Sequence, residues 1–217
     1  MSEIRRVLVW SGWARLSHAC VGLSVLLLLL TGWLIAESPS LLDLALDLHY
    51  LGSALLLFGL VVRAVMLIVG KEHERFSALL PTGTDLAAIL ATLRCYMSLG
   101  RLPLPRWYAH NPLWKPFYVL IYLVLAMLVA SGAAMPDHSV VLGFYLPSVH
   151  AFWAQAVFWF TLLHILSTVV HDYRNQTADV SAMINGYRIF LIDSKQASKA
   201  VDSTHPSISI ESIRKDP

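Results

Sequence analysis

The chain has 217 residues, of which 57% are hydrophobic and 14% are charged, and its formal net charge at pH 7 is +2. An average soluble domain carries roughly 25% charged residues, so this composition excludes an ordinary soluble enzyme, a disordered chain and a nucleic-acid-binding protein. The two cysteines, Cys20 and Cys95, do not imply a disulfide framework, and the lack of a CxxCH motif excludes covalent c-type haem attachment.

Four long stretches of the sequence are almost free of charged side chains. A hydrocarbon core of about 30 Å needs about 20 helical residues, and each stretch supplies that length. Because lipid cannot satisfy a polar backbone, such stretches form helices. The sequence therefore predicts an all-α fold, an integral membrane four-helix bundle formed by residues 1–192. Its helices are expected at about 14–36, 46–70, 113–135 and 146–172.

The positions of lysine and arginine predict how this bundle is oriented. Of the 16 Lys and Arg residues, all but Arg63 lie before the first helix, between the second and third helices, or after the fourth. Loops 37–47 and 137–145 contain none. Since cytoplasmic loops carry an excess of Lys and Arg, both termini and the 71–115 segment are predicted to be cytoplasmic, in a bacterial inner membrane.

Two segments outside the bundle carry predictions of their own. Residues Asp85 to Leu99 have apolar side chains at helical spacing, which predicts a helix that lies on the membrane surface. The tail 193–217 is rich in Ser, Lys, Asp and Pro and is predicted to be cytoplasmic and disordered.

Four of the nine histidines lie in or at the ends of predicted helices at matching depths. His150 and His164, on the fourth helix, are 14 residues apart, which corresponds to about 21 Å along one face. His18 is near the cytoplasmic end of the first helix, and His49 is at the outer end of the second. The depths therefore predict an inner pair, His18 with His164, and an outer pair, His49 with His150.

Two imidazole pairs stacked in a four-helix bundle suit two bis-histidine haems of b type. A neutral imidazole is a good axial ligand, and filling both axial positions favours electron transfer. Catalytic zinc fits less well, because no Cys, Asp or Glu lies at these depths to complete a tetrahedron. The prediction is therefore transmembrane electron transfer by a dihaem cytochrome b.

Other histidines compete with this assignment or stand apart from it. His171 lies seven residues after His164 and could replace it as the inner ligand, although its place at the helix end predicts a surface residue. His138 could compete for the outer pair but belongs to a predicted loop. Two further histidines are predicted to be solvated, His73 and His205.

Two arginines are candidate partners for haem propionates. Arg63 is 14 residues after His49 and therefore lies at the level of the inner pair, where a bare arginine costs about 2.5–3.5 kcal/mol. A propionate would supply the missing anion, or Arg63 could snorkel to the cytoplasmic surface. Arg15, three residues before His18, is the second candidate, or an anchor in the cytoplasmic interface. Gly32, at the outer level, would let a flat macrocycle or a neighbouring backbone approach.

Five short motifs accompany the spaced histidines. They are Arg15-Leu-Ser-His18, Thr31-Gly32-Trp33, His110-Asn111-Pro112-Leu113, Ser131-Gly132 and Met183-Ile-Asn-Gly-Tyr-Arg188. With them the chain resembles the membrane cytochrome b subunits of respiratory nickel–iron hydrogenases, which share a superfamily with formate dehydrogenase gamma subunits and bacterial cytochrome b561. The resemblance covers roughly residues 5–190. Two features depart from the family: Ala19 stands where an aromatic residue often follows the first histidine, and the outer loops are short.

The resemblance implies two haems b, with His18 and His164 on the inner haem and His49 and His150 on the outer one. It also implies that electrons arrive from a hydrogenase-like iron–sulfur small subunit on the periplasmic side. They would then reduce a quinone, menaquinone or ubiquinone, near the cytoplasmic haem.

A quinone site is a further implication of the resemblance. In formate dehydrogenase gamma subunits, an Asn at the start of the third helix and the inner-haem histidine of the fourth line the quinone pocket. The matching residues here are Asn111 and His164. Asn-Pro also suits a helix N-cap, so Asn111 could instead cap the third helix. His110 is a weaker candidate for supplying protons.

Three alternatives remain open at this point. Within the same class, the chain could be a cytochrome b561-like protein that serves a c-type cytochrome, a thiosulfate reductase, a formate dehydrogenase or superoxide. It could also act alone as a quinone reductase. From another class, it could be a haem-free four-helix transporter or scaffold that uses histidine for protons or metal.

Overall fold

The computed structural model describes residues 2–98, 100–105, 107–175 and 179–193. Both His205 and the predicted tail after Asp193 lie outside the described residues. The helices of the described part are α1 (Gly12–Glu37), α2 (Leu42–Val69), α3 (Phe76–Leu79), α4 (Asp85–Met97), α5 (Lys115–Ala134), α6 (Leu146–Asn175) and α7 (Asp179–Asn185). The strands are β1 (Ser2–Leu8), β2 (Val140–Val141), β3 (Phe144–Tyr145) and β4 (Tyr187–Asp193).

Helices α1, α2, α5 and α6 are long and apolar enough to cross a membrane, which confirms the four predicted spans. Large apolar side chains are exposed around the bundle, and Ile68, for example, is 77% exposed. A soluble monomer rarely exposes so extensive an apolar surface. The bundle is therefore built to face lipid.

Helices α1 and α2 form the closest contact in the bundle because glycines of α2 face α1. A Cβ atom on Gly59 would lie 3.0 Å from the Cβ atom of Cys20, and a Cβ atom on Gly52 would lie 3.3 Å from the side chain of Leu28. The hydroxyl of Ser17 donates a hydrogen bond of 2.9 Å to the carbonyl oxygen of Gly59. Small residues and a buried hydroxyl thus let the two backbones approach, as in other membrane helix pairs.

The core of the bundle is apolar and takes side chains from all four spans. Its buried members are Val25, Leu56, Val124, Leu125, Leu128 and Val157. This core lies between the two levels at which the histidine pairs were predicted. The pairs are consequently separated by a layer of aliphatic side chains.

The fold is not purely helical, so the all-α prediction needs a correction. Strand β1 pairs with β4 in antiparallel fashion, from Ser2 opposite Asp193 to Leu8 opposite Tyr187, and we call this pair the terminal sheet. Strands β2 and β3 form a short hairpin before α6. The terminal sheet pairs two segments that are far apart in the sequence, and local sequence patterns do not predict such a pairing.

The terminal sheet depends on Gly186, at the centre of the Asn-Gly-Tyr-Arg motif. Its carbonyl oxygen accepts hydrogen bonds from the backbone N–H groups of Val9 and Trp10, at 2.8 and 3.1 Å. Its φ angle is +87°, a value that glycine adopts readily. The guanidinium of Arg188 donates to the carbonyl oxygens of Trp107 and Tyr108, at 3.0 and 2.6 Å. The motif therefore links strands β1 and β4 to the 107–108 segment.

Helix α4 forms where the sequence predicts a surface helix. Its apolar side chains include Leu86 and Met97, which are exposed, whereas Thr92 and Cys95 are buried on the opposite side. The carboxylate of Asp85 accepts a hydrogen bond of 2.8 Å from the ammonium of Lys115, so the start of α4 is tied to the start of α5. The exposed apolar face is free to contact a membrane surface.

Candidate functional site

The structure brings the four depth-matched histidines together as two pairs. The ring centroids of His18 and His164 are 6.3 Å apart with an interplanar angle of 54°. The ring centroids of His49 and His150 are also 6.3 Å apart, with an angle of 56°. Each pair spans the bundle interior, one ring from α1 or α2 and the other from α6.

This spacing leaves a gap between the two rings of each pair that a metal ion fits. Two imidazoles bound on opposite sides of one metal ion, each at about 2.0–2.1 Å, have centroids roughly 6 Å apart. No group of three or more His, Cys, Asp or Glu side chains in the described part of the chain could hold a metal ion. The donor set is therefore two imidazoles per level, which suits the axial positions of a haem rather than a tetrahedral ion.

A cavity of about 50 Å³ lies against the outer pair. Its lining includes His49 and His150 and is otherwise almost wholly aliphatic. Two glycines flank the pair: a Cβ atom on Gly32 would lie 3.7 Å from Cε1 of His49, and a Cβ atom on Gly132 would lie 3.4 Å from Cε1 of His150. Gly32 lies at the outer level, as the sequence predicted, and Gly132 matches it from α5.

Two hydroxyl groups contact the outer pair, and sequence reasoning assigned them no role. Oγ1 of Thr31 lies 2.8 Å from Nδ1 of His49. Oγ of Ser131 lies 2.9 Å from Nδ1 of His150. The available signal was that each hydroxyl residue directly precedes a glycine at the depth of the outer pair.

Arg63 is a buried cation beside the inner pair and does not reach the surface. It is 7% exposed, and its Nη1 atom donates a hydrogen bond of 3.0 Å to the carbonyl oxygen of Glu74. Its guanidinium carbon lies 5.7 Å from the ring centroid of Tyr122. Among the residues that the structure describes, no carboxylate pairs with it. A buried cation without an anion fits a site for a haem propionate.

Arg15 is engaged elsewhere. Its Nη1 atom donates a hydrogen bond of 2.6 Å to the carbonyl oxygen of Ile184, close to the C-terminal end of α7. Its Nε atom is buried with no hydrogen-bond partner among the described residues. The structure therefore places part of this guanidinium in the support of the terminal sheet, and its role toward a propionate stays a prediction.

Aromatic side chains surround the inner pair on the α5 side. The ring of Phe160 stacks on His164, with centroids 5.9 Å apart and an interplanar angle of 4°. Trp114 and Tyr118 each meet His164 edge-on, with centroids 6.4 Å apart. Tyr118 in turn contacts His110, with centroids 5.8 Å apart. A continuous row of rings thus connects His164 with His110.

His110 is neutral at physiological pH. Burial, together with the nearby positive charge of Arg63, lowers its pKa to about 3. Its ring also contacts the edge of Trp10, with centroids 5.1 Å apart. In this state the imidazole carries no excess proton to release. Its predicted role in proton supply is not tested by this geometry.

Asn111 lies in the turn that leads into α5. It is 4% exposed, and its Oδ1 atom accepts a hydrogen bond of 3.0 Å from the backbone N–H of Leu113. The carbonyl oxygen of Asn111 also accepts from the backbone N–H of Trp114, at 3.0 Å. Its Nδ2 atom has no well-aligned hydrogen-bond partner in the described part of the chain, although it lies close enough to the Tyr96 hydroxyl to influence the pKa of that phenol. These bonds stabilise the turn before α5, whose N-cap is Trp114 and receives no side-chain cap; the quinone role of Asn111 stays a prediction.

The expectation that His171 is a surface residue is wrong. His171 is 3% exposed, and its Nε2 atom lies 2.7 Å from the hydroxyl oxygen of Tyr96. The ring of Trp107 meets it edge-on at 5.1 Å. Burial raises the pKa of Tyr96. His171 is buried because α4 folds back over the end of α6, which its local sequence does not reveal.

His73 also departs from its prediction, whereas His138 does not. His73 is half-buried and its Nε2 atom is hydrogen-bonded to the carbonyl oxygen of Val9. Its ring meets Trp10 and Tyr108 edge-on, at 5.8 and 5.5 Å. His138 is exposed in the segment between α5 and β2. His73 is therefore part of the support of the terminal sheet rather than a solvated side chain.

Comparison with known proteins agrees with this geometry. The family model for prokaryotic cytochrome b561 matches residues 9–186. A Cupriavidus necator protein named "Probable Ni/Fe-hydrogenase B-type cytochrome subunit" is 23% identical over 219 aligned positions, which cover 87% of this chain and 89% of that protein. A protein of the same name from Azotobacter vinelandii is 24% identical over 218 positions, which cover 86% of this chain and 90% of that protein. No solved structure matches the chain significantly.

The family match includes all four spans and both histidine pairs. Paired imidazoles in an apolar bundle also suit the axial ligation of a b-type haem. The chain therefore belongs to the prokaryotic cytochrome b561 family, whose members are membrane electron-transfer proteins and whose b-type name implies haem b.

Proposed function

We propose that this protein is a dihaem cytochrome b that carries electrons across the membrane, from a hydrogenase-like iron–sulfur small subunit on the periplasmic side to a membrane quinone. The observation that carries the proposal is the equal spacing of the two histidine pairs, whose centroids are 6.3 Å apart at both levels. One pair of this spacing can arise from packing. Two such pairs, both facing the interior of one bundle, favour two matched binding sites.

The four histidines would act as the axial ligands. His18 and His164 would hold the inner haem, and His49 and His150 the outer one. When bound, each haem would supply one-electron redox chemistry that no side chain of the protein provides. The 14 residues between His150 and His164 set the two sites about 21 Å apart along α6. The protein's contribution is to fix this separation and to keep water out with the aliphatic core between the pairs.

The inner end of the bundle would hold the anionic and quinone-facing groups. Arg63 would donate hydrogen bonds to propionates, as would the Nε atom of Arg15, which has no partner among the described residues. Menaquinone or ubiquinone would bind beside Asn111 and His164, with His110 nearby as the weaker candidate for supplying protons. The row of rings from His164 to His110 supports this placement, because it connects the inner pair with the half-buried imidazole of segment 107–114.

The orientation follows from charge. All Lys and Arg residues except Arg63 lie on the side of the two termini and the 71–115 segment, which supports cytoplasmic termini in a bacterial inner membrane. The opposite side has four exposed carboxylates and no Lys or Arg in loops 37–47 and 137–145. Its hairpin displays Leu142, which is 93% exposed. An exposed apolar side chain surrounded by carboxylates suits a partner protein whose binding surface has basic residues at its edge. The relatives named as hydrogenase subunits favour a hydrogenase-like partner.

A reduced-minus-oxidised absorption spectrum of the purified protein tests the proposal. We expect a b-type α band and two haems per chain. Absence of the band in dithionite-reduced protein would refute it and would revive the haem-free transporter or scaffold. Co-purification then identifies the partner: a hydrogenase supports the proposal, whereas a c-type cytochrome, thiosulfate reductase or formate dehydrogenase would replace the hydrogenase. Quinone or superoxide turnover by the isolated protein would instead favour action without a partner.

A further inference from the structure

We propose that Thr31 and Ser131 are positioning residues for the outer haem, which act through Nδ1 of its two ligands. This inference rests on the proposed function, since it assigns roles around a haem site. It is carried by four hydrogen-bond distances and by a difference between the two pairs. Neither residue would touch the reacting centre itself.

The hydrogen bonds of Thr31 favour one direction for its contact with His49. A threonine hydroxyl has one proton to donate. Oγ1 of Thr31 lies 2.8 Å from the carbonyl oxygen of Leu27 on the same helix, and that carbonyl can only accept. The proton can therefore go to Leu27 while the hydroxyl oxygen accepts a hydrogen bond from Nδ1–H of His49, at 2.8 Å. This selects the tautomer whose Nε2 lone pair is free for a metal.

Ser131 repeats the arrangement from another helix. Its Oγ atom donates to the carbonyl oxygen of Leu128, at 3.1 Å, and accepts from Nδ1 of His150, at 2.9 Å. Both hydroxyl residues are buried, with Thr31 1% and Ser131 9% exposed. Each is followed by the glycine whose Cα faces the same imidazole. Helices α1 and α5 thus present the same pair of residue types, a hydroxyl that orients the ring and a glycine that leaves room beside it.

The inner pair has no such contact. In the part of the chain that the structure describes, no hydrogen bond to the ring of His18 or His164 is present; His164 is held by stacking on Phe160 instead. A ligand imidazole that donates its second N–H becomes more basic and is held in one orientation. A more basic axial ligand stabilises the oxidised iron, so the outer haem is expected to have its potential lowered by these two hydroxyls while the inner haem is not.

The test is a potentiometric titration of the α band of the haem-loaded protein, together with haem quantitation. Thr31→Val removes the acceptor at nearly constant volume, and Ser131→Ala does so on the facing helix. Both substitutions should affect the same haem: each should shift the titration step of that haem to higher potential, or weaken its binding by about tenfold or more. The other step should not move. Thr31→Ser, which keeps the hydroxyl, should titrate like the wild type.

Ser24→Ala is the matched control. Ser24 is buried on α1 and donates to the carbonyl oxygen of Cys20, at 2.7 Å, in the same geometry as Thr31 to Leu27, but among the described residues no histidine is hydrogen-bonded to it. It should leave both steps and both haems unchanged. The inference is overturned if Thr31→Val and Ser131→Ala titrate like the wild type, if they move different steps, or if Ser24→Ala has the same effect. A wild-type protein without haem would defeat the proposed function itself, which separates the two failures.

Discussion

Replacement of Gly186 by alanine should open the terminal sheet without unfolding the bundle. At Gly186 the φ angle is +87°, and an added Cβ atom would lie 2.8 Å from both Cδ1 of Leu8 and the carbonyl oxygen of Trp10. The Leu8 side chain can rotate away. The carbonyl of Trp10 is backbone, so it cannot move without breaking the hydrogen bonds that Gly186 accepts.

The expected cost has two parts. A left-handed backbone conformation costs an L-residue about 1–2 kcal/mol. An overpacked methyl group adds about 1–3 kcal/mol, so the total is about 2–5 kcal/mol. The terminal sheet contacts the bundle through few elements, and its opening is therefore expected before the bundle unfolds. At about 1.4 kcal/mol for each factor of ten, protection of its amides should fall by about 30-fold to more than 1,000-fold.

Hydrogen exchange of the Val9 and Trp10 amides measures this opening, because both donate to the carbonyl oxygen of Gly186. The matched control is Gly143→Ala, whose φ angle is also positive, at +81°, but whose added Cβ atom would meet nothing within 4 Å. The control should leave both amides protected. If the exchange rates of these two amides in Gly186→Ala lie within about threefold of the wild-type rates, the terminal sheet does not depend on Gly186 and the reasoning is wrong.

Four further predictions concern the site and its surroundings. His49→Ala and His150→Ala should each remove one haem and keep the other, as haem quantitation would show; retention of both haems in both variants would refute the pairing. Arg63→Gln should lower the midpoint potential of one haem only, because a cation favours the reduced state; equal titration curves would reject the assignment. Asn111→Ala should weaken binding of a quinone analogue with both haems retained, and unchanged binding would remove its quinone role. Burial raises the pKa of Glu74, but hydrogen bonds from Ser11 and from the backbone N–H of Lys71 lower it by more than burial raises it. The net pKa therefore lies below the ordinary value. The stability that the ionised Glu74 contributes is therefore present above its unfolded-state pKa and lost as pH falls through its folded-state pKa. Glu74→Gln should be less stable at pH 7 by about 2 kcal/mol, and its free energy of unfolding should depend less on pH in acid. An acid dependence identical to that of the wild type would contradict this.

The sequence by itself determined the four spans and the depths of the histidines. Both are local properties, because lipid demands about 20 apolar helical residues for each crossing, and the fixed rise of a helix converts 14 residues between His150 and His164 into a distance. The observed pairing of His18 with His164 and of His49 with His150 agrees with these depths. The depth of Arg63 was predictable for the same reason, since it lies on a helix whose register is set by His49.

Only the tertiary structure decided which residues support those sites. The sequence predicted His171 on the surface, yet Tyr96 of α4 covers it, and it gave no sign that Ser2–Leu8 pairs with Tyr187–Asp193. Whether the hydroxyls of Thr31 and Ser131 reach an imidazole depends on how each helix is rotated about its axis. That rotation is set by packing between helices rather than by the apolar length of any one of them, because a uniformly apolar span has no preferred face toward lipid.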